Sequence, residues 1–160
     1  MGSYTVLLDK KGILAGIVFS WNQPTQAEQI KTLRRMISWF WHDLSHHFIT
    51  PMARGELWSA YKAIEDMRLT CVNMARLRQN FSAKAEGYEK VEQTLPVEQL
   101  APLQASFCLM ERDAMLQAAL TIVRFYQELA PQLTQAHGIP YPADLAQVMS
   151  DRLELLCNTI

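Results

Sequence analysis

Ile30, Leu33, Ile37, Phe40, Leu44 and Phe48 recur at steps of three and four residues. That spacing sets six apolar side chains on one face of an α-helix, whereas a strand would scatter them over both of its faces. The same rhythm returns in Leu57, Tyr61, Ile64, Cys71, Met74 and Leu77. It returns again in Met115, Ala119, Val123, Tyr126, Ala130 and Leu133, and in Leu145, Val148, Met149, Leu153 and Leu156. Apolar faces of this kind must be buried against one another, so the expected fold is mainly α. The 160 residues, 49% of them hydrophobic, suffice for one real core. The expectation is one domain over residues 1–160: an up-and-down helical bundle of four to five helices over 25–157, behind a short N-terminal β-hairpin over 4–19.

Local signals divide the helices. Thr25-x-x-Glu28 is a capping box that opens the first one. Thr50-Pro51 should weaken or bend it, because the residue before proline is pushed away from α. A second helix begins near Gly55 and runs to about Arg78, and Asn80–Thr94 reads as a loop. Leu95-Pro96 opens a short helix that Pro102 should interrupt. A long helix follows from Arg112 to Ala136, strained near Pro131 and ended by Gly138 as the residue after the cap. Pro142 starts the last helix. Ahead of all these, Tyr4–Leu8 and Ile13–Phe19 are β-prone runs around the turn Asp9-Lys10-Lys11-Gly12. A lone hairpin is marginal in water, and its open edge invites pairing with a second copy.

The formal net charge is −1 and 19% of residues are charged, so neither nucleic acid nor a membrane is an expected partner. No apolar run approaches the ~20 residues that span a bilayer. No basic leader precedes an apolar segment, so a cytoplasmic location is expected. Cys71, Cys108 and Cys157 are odd in number and set among apolar neighbours, which suits reduced thiols in that compartment. Cys157 is the one candidate for a reactive thiol.

Chemistry-bearing residues are few. His42 and His46 stand four apart and would share one face of an α-helix, where two imidazoles can hold a metal. No third histidine follows at metal-ligand spacing, and Glu65 or Asp66 would have to supply a carboxylate. The other reading is two polar histidines on a solvated or cleft-facing stripe. Neither a metal nor a cofactor is expected. Trp39, Phe40 and Trp41 point in three directions, so at least one leaves the core stripe, as a second packing surface or as an aromatic wall for a ring-bearing ligand. Glu65, Asp66 and Arg68 can pair locally or offer carboxylates to a cation. The aspartates at 9, 43, 66, 113, 144 and 151 form no Asp-x-Asp pair. Glu111-Arg112-Asp113 suits a helix start. With no glycine-rich phosphate loop and no nucleophile elbow, the residues describe no self-contained active site.

Along the chain stand, in order, Asp9-Lys10-x-Gly12, Phe40-Trp41-His42, Arg54-Gly55-Glu56-Leu57-Trp58-x-Ala60, Arg68, Gly87-Tyr88-x-Lys90, Leu95-Pro96, the helix bearing Asp113, and Gly138-x-x-Tyr141-Pro142. This order resembles the C-terminal helical domain of aminoglycoside and lincosamide nucleotidyltransferases, including the streptomycin adenylyltransferase type. In such enzymes a preceding half carries Gly-Ser and Asp-x-Asp for metal and nucleotide; here Gly2-Ser3 matches by position alone, and that role does not carry over. The resemblance implies a non-catalytic substrate-binding or regulatory helical module for a small-molecule ligand. It implies a homodimer or a pairing with a separate nucleotidyltransferase subunit. It puts Trp41, Arg54, Glu56, Trp58, Arg68, Tyr88 and Lys90 at candidate substrate-binding positions. Two other readings stand beside it: a small metal-dependent enzyme using His42 and His46, and a structural remnant without ligand.

Overall fold

The computed structural model describes residues 11–12, 23–83 and 87–158. The hairpin expected over 4–19 lies outside the described residues but for positions 11 and 12. The described residues are 78% helical and contain no strand. Helix α1 (Gln26–His42) runs without a break through a π-helical segment (Asp43–Ile49) into α2 (Thr50–Ala53). There follow α3 (Leu57–Gln79), α4 (Val91–Thr94), α5 (Val97–Ala105), α6 (Arg112–Ala136) and α7 (Ala143–Asn158). These make six helical rods among the described residues, against the four to five expected. The extra rod is α4, inside the stretch read as a loop. A four-residue helix is too short to show a period, and it is nucleated by Lys90 in a left-handed conformation (φ 53°).

The capping box is present as read: the Thr25 backbone N–H donates to Glu28 Oε2 at 2.7 Å, and the Glu28 N–H donates to Thr25 Oγ1 at 3.3 Å. Thr50-Pro51 does not end the helix. The chain widens into the π-helical segment just before it, and the Thr50 N–H reaches back five residues to the Ser45 carbonyl. Widening moves carbonyls away from where the proline ring would meet them. It also keeps the core face in line. Phe40, Leu44, Phe48 and Met52 are all buried at four-residue steps, a spacing that drifts about 40° per step on an ideal α-helix. The rod ends at Gly55 (φ 75°), where the Glu56 and Gly55 N–H groups donate to the Pro51 and Met52 carbonyls. That left-handed closure turns the chain into α3. Gly138 (φ 63°) closes α6 the same way, with Ile139 N–H on the Thr134 carbonyl.

Two prolines are carried inside helices. Pro102 does not interrupt α5, which runs on to Ala105. The carbonyl it leaves unpaired belongs to exposed Glu98, where water can satisfy it. Pro131 likewise sits inside α6, which continues to Ala136.

Helix α3 is the centre of the packing, against α6, the π segment, α1 and α5. Tyr126 of α6 lies flat on Phe40, with ring centroids 3.6 Å apart, and Trp41 meets it edge-on at 5.2 Å. On α7 the buried face is Ala146, Met149 and Leu153, while Leu145 and Val148, read as inward, are exposed. The stripe on α7 admits either rotation, and packing on α6 selects one. Phe40 is fully buried whereas its neighbour Trp39 is 53% exposed. Phe40→Ala should therefore cost about 3–5 kcal/mol in urea-induced unfolding, and Trp39→Ala under about 1 kcal/mol.

Candidate functional site

Between α1 and α3 lies a groove of about 340 Å³ lined by Thr32, Arg35, Met36, Trp39, Asp43, Asp66, Leu69, Thr70 and Asn73. Its residues form two matched stripes: Thr32, Met36, Trp39 and Asp43 on the first rod, and Asp66, Leu69, Thr70 and Asn73 on α3. Asp43 is only 8% exposed, yet its carboxylate makes no hydrogen bond or ion pair among the described residues. Burial, and then the charge of Asp66, raise its pKa above the ordinary carboxylate value; His47, His42 and Lys62 offset part of this. Asp66 is held by Lys62 at 2.5 Å on the exposed side. Asn73 Oδ1 is buried without a hydrogen-bond partner. The groove thus offers two carboxylates and an amide oxygen beside the Trp39 ring. Donors are present as well, in the Thr32 and Thr70 hydroxyls, the Asn73 amide and the Arg35 guanidinium.

The seven positions drawn from the resemblance fall into separate neighbourhoods. Trp41 is in the core, 3% exposed, between Phe40 and Tyr126, and walls no cleft. Glu56 and Trp58 line a second groove with Gly55, Leu57, Ser59 and Met110, and Trp58 is 81% exposed there. Arg54 is the exposed cap of α2. Arg68 and Tyr88 do come together, through Glu65. Arg68 is 1% exposed; its Nε and Nη2 donate to Ser106 Oγ and to the Ser106 carbonyl, both at 2.7 Å, and its Nη1 pairs with Glu65. The guanidinium also lies 4.1 Å over the Phe107 ring. Each of its nitrogens is committed within the protein, so Arg68 ties the end of α5 to α3. The Tyr88 hydroxyl donates to Glu65 at 3.3 Å, and burial, then the Glu65 charge, push its pKa up to about 12. Lys90 stays exposed at the head of α4.

The histidines depart from the expected geometry. Across the π-helical turn the pair in hydrogen-bond range is His42 and His47, with Nε2 atoms 3.2 Å apart. His46 stands beside them, its ring 4.8 Å from that of His42. Among the described residues no group of three or more His, Cys, Asp or Glu side chains is placed to hold a metal. The cysteines are free, and burial raises the pKa of Cys157, which works against a reactive thiolate.

Sequence reasoning took Asp66, with Glu65, as a carboxylate for a metal or cation or for local pairing, and it did not bring Asp43 and Asp66 together in a groove. A signal was available: polar residues at helical spacing beside each apolar stripe. A mainly helical module with an acceptor-rich groove is what these features define. A family profile described as Streptomycin adenylyltransferase matches residues 1–155, and the chain belongs to that family. Neither curated proteins nor solved structures gave a match. No helix among the described residues is long and apolar enough to cross a membrane.

Asp43 makes a pH prediction. The folded chain holds its proton more tightly than the unfolded chain does. Stability therefore falls as pH rises from the ordinary carboxylate pKa through the raised one, and the full penalty is present above it. Asp43→Asn should raise the unfolding midpoint at neutral pH, and the gain should vanish in acid, where both states are protonated. Paired urea titrations at the two pH values check this.

Proposed function

We propose that this chain is a non-catalytic substrate-binding module of its family, and that the α1–α3 groove takes a cationic, hydroxyl-rich small molecule. The observation that carries the reading is Asp43: a residue only 8% exposed whose carboxylate has no partner among the described residues, in one groove with Asp66 and the unpaired Asn73 Oδ1 beside an aromatic wall. Burying an unpaired carboxylate destabilises a fold, and a ligand ammonium or guanidinium supplies the missing partner. The family's name points to streptomycin, a polycationic aminocyclitol glycoside, as a ligand of this chemistry. The 160 residues hold no Asp-x-Asp pair for metal and nucleotide. The group-transfer chemistry of the reading lies outside these residues, with this module acting as a homodimer or beside a separate nucleotidyltransferase in the cytoplasm.

Calorimetric titration with streptomycin tests the ligand. The wild-type chain should bind saturably, a neutral disaccharide should not, and Asp43→Asn or Asp66→Asn should each weaken binding by about 1.5–3 kcal/mol, the worth of a hydrogen bond to a charged group. Absence of streptomycin binding, or unchanged affinity in Asp43→Asn, would sink the reading. Asp43→Asn should also be the more stable protein, which separates a binding defect from misfolding. For assembly, light scattering at high protein concentration should give twice the chain mass; a strict monomer removes the homodimer.

A further inference from the structure

We propose that His42 and His47 form a two-point chelate for a divalent transition metal such as Zn²⁺, Ni²⁺ or Cu²⁺, created by the π-helical turn between them. On an α-helix, residues five apart diverge by about 140° around the axis and cannot meet. The segment Asp43–Ile49 is wound wider, which swings the i+5 side chain back toward the i side chain. The two Nε2 atoms stand 3.2 Å apart, with the rings crossing at 77°. A metal about 2.0–2.1 Å from each nitrogen would see them at roughly 100°, close to the tetrahedral angle.

Without metal, the pair is an N–H···N hydrogen bond in which one ring carries its proton on Nε2. On metal binding that proton moves to Nδ1, leaving both Nε2 lone pairs free, with no change in net protonation. Both histidines are exposed, so a metal reaches them from solvent without unfolding. Only these two protein ligands are assigned, so water completes the coordination sphere. His42 also lines a shallow groove of about 330 Å³ with Ser38 and Trp39, on which those open positions can face. An open two-ligand site is exchangeable. This site adjoins the α1–α3 groove: Trp39 lines both, and the charges of His42 and His47 act on Asp43.

The test is titration of Ni²⁺ and Cu²⁺ into the full chain, made without a polyhistidine tag, followed by calorimetry and tryptophan emission. The wild type should bind one equivalent at micromolar affinity. His42→Ala and His47→Ala should each weaken binding at least about tenfold, and His46→Ala less than about threefold, since imidazole nitrogens dominate affinity for these metals. Trp39 meets His42 edge-on at 5.5 Å. Cu²⁺ should therefore quench part of the emission, and Trp39→Phe should remove that quench while keeping the binding heat. His47→Gln keeps a polar side chain and replaces His47→Ala if circular dichroism shows the helix altered. Absence of saturable binding, or full affinity in the His47 variants, overturns the proposal. So does a loss in His46→Ala equal to that in His47→Ala, because that marks an ordinary α-helical pair four apart.

Discussion

Pro51 cannot donate to a helical hydrogen bond, and its ring conflicts with the carbonyl one turn earlier. The chain meets that constraint by widening the helix over Asp43–Ile49 rather than by breaking it. Much else in the first rod depends on this choice. Phe40, Leu44, Phe48 and Met52 stay in line along the core, Asp43 is carried under cover beside α3, and His47 as well as His46 comes within reach of His42. The rod then closes on Gly55, whose positive φ lets α3 start two residues later. A regular α-helix through the same residues would turn this stripe out of line before it reached Met52.

Two kinds of contact hold the remaining helices to that rod. The flat stack of Tyr126 on Phe40 anchors α6 through apolar area and ring geometry. Arg68 anchors the α5–α6 connection through polar bonds, fully buried and fully used. Asp43 is the opposite case. Its residue is 8% exposed and its carboxylate has no partner among the described residues, so desolvation makes it oppose folding at neutral pH where Arg68 supports it. A group that weakens the fold and faces a groove is the mark of a binding site more than of a scaffold.

Much of the fold was legible in the residues. The part of the first stripe that lies in α1 (Ile30, Leu33, Ile37 and Phe40), the α6 stripe, the Thr25 capping box and the stop at Gly138 each rest on local chemistry, and each is where that chemistry puts it. Helix α4 was hidden because one turn shows no period. Continuation of α5 through Pro102 was hidden because the cost of one lost bond depends on whether water reaches Glu98. The rotation of α7 was hidden because Leu145 and Val148 belong to one plausible stripe and Ala146, Met149 and Leu153 to another. Of the site, the family resemblance led to the Arg68–Glu65–Tyr88 network but not to the groove, whose two polar stripes are 23 residues apart, from Asp43 to Asp66.

By itself the sequence determined the class: helical periodicity and capping are properties of neighbours three to five residues apart, and they need no tertiary partner to be read. It also determined that no Asp-x-Asp pair stands in these residues. Tertiary structure decided which polar residues face one another. Burial of Asp43 opposite Asp66, exposure of Trp39 beside buried Phe40, and the meeting of His42 with His47 follow from helix register and rotation. Those are settled by packing on α3 and by the widened turn before Pro51, because side chains distant in sequence meet only once the rods are docked.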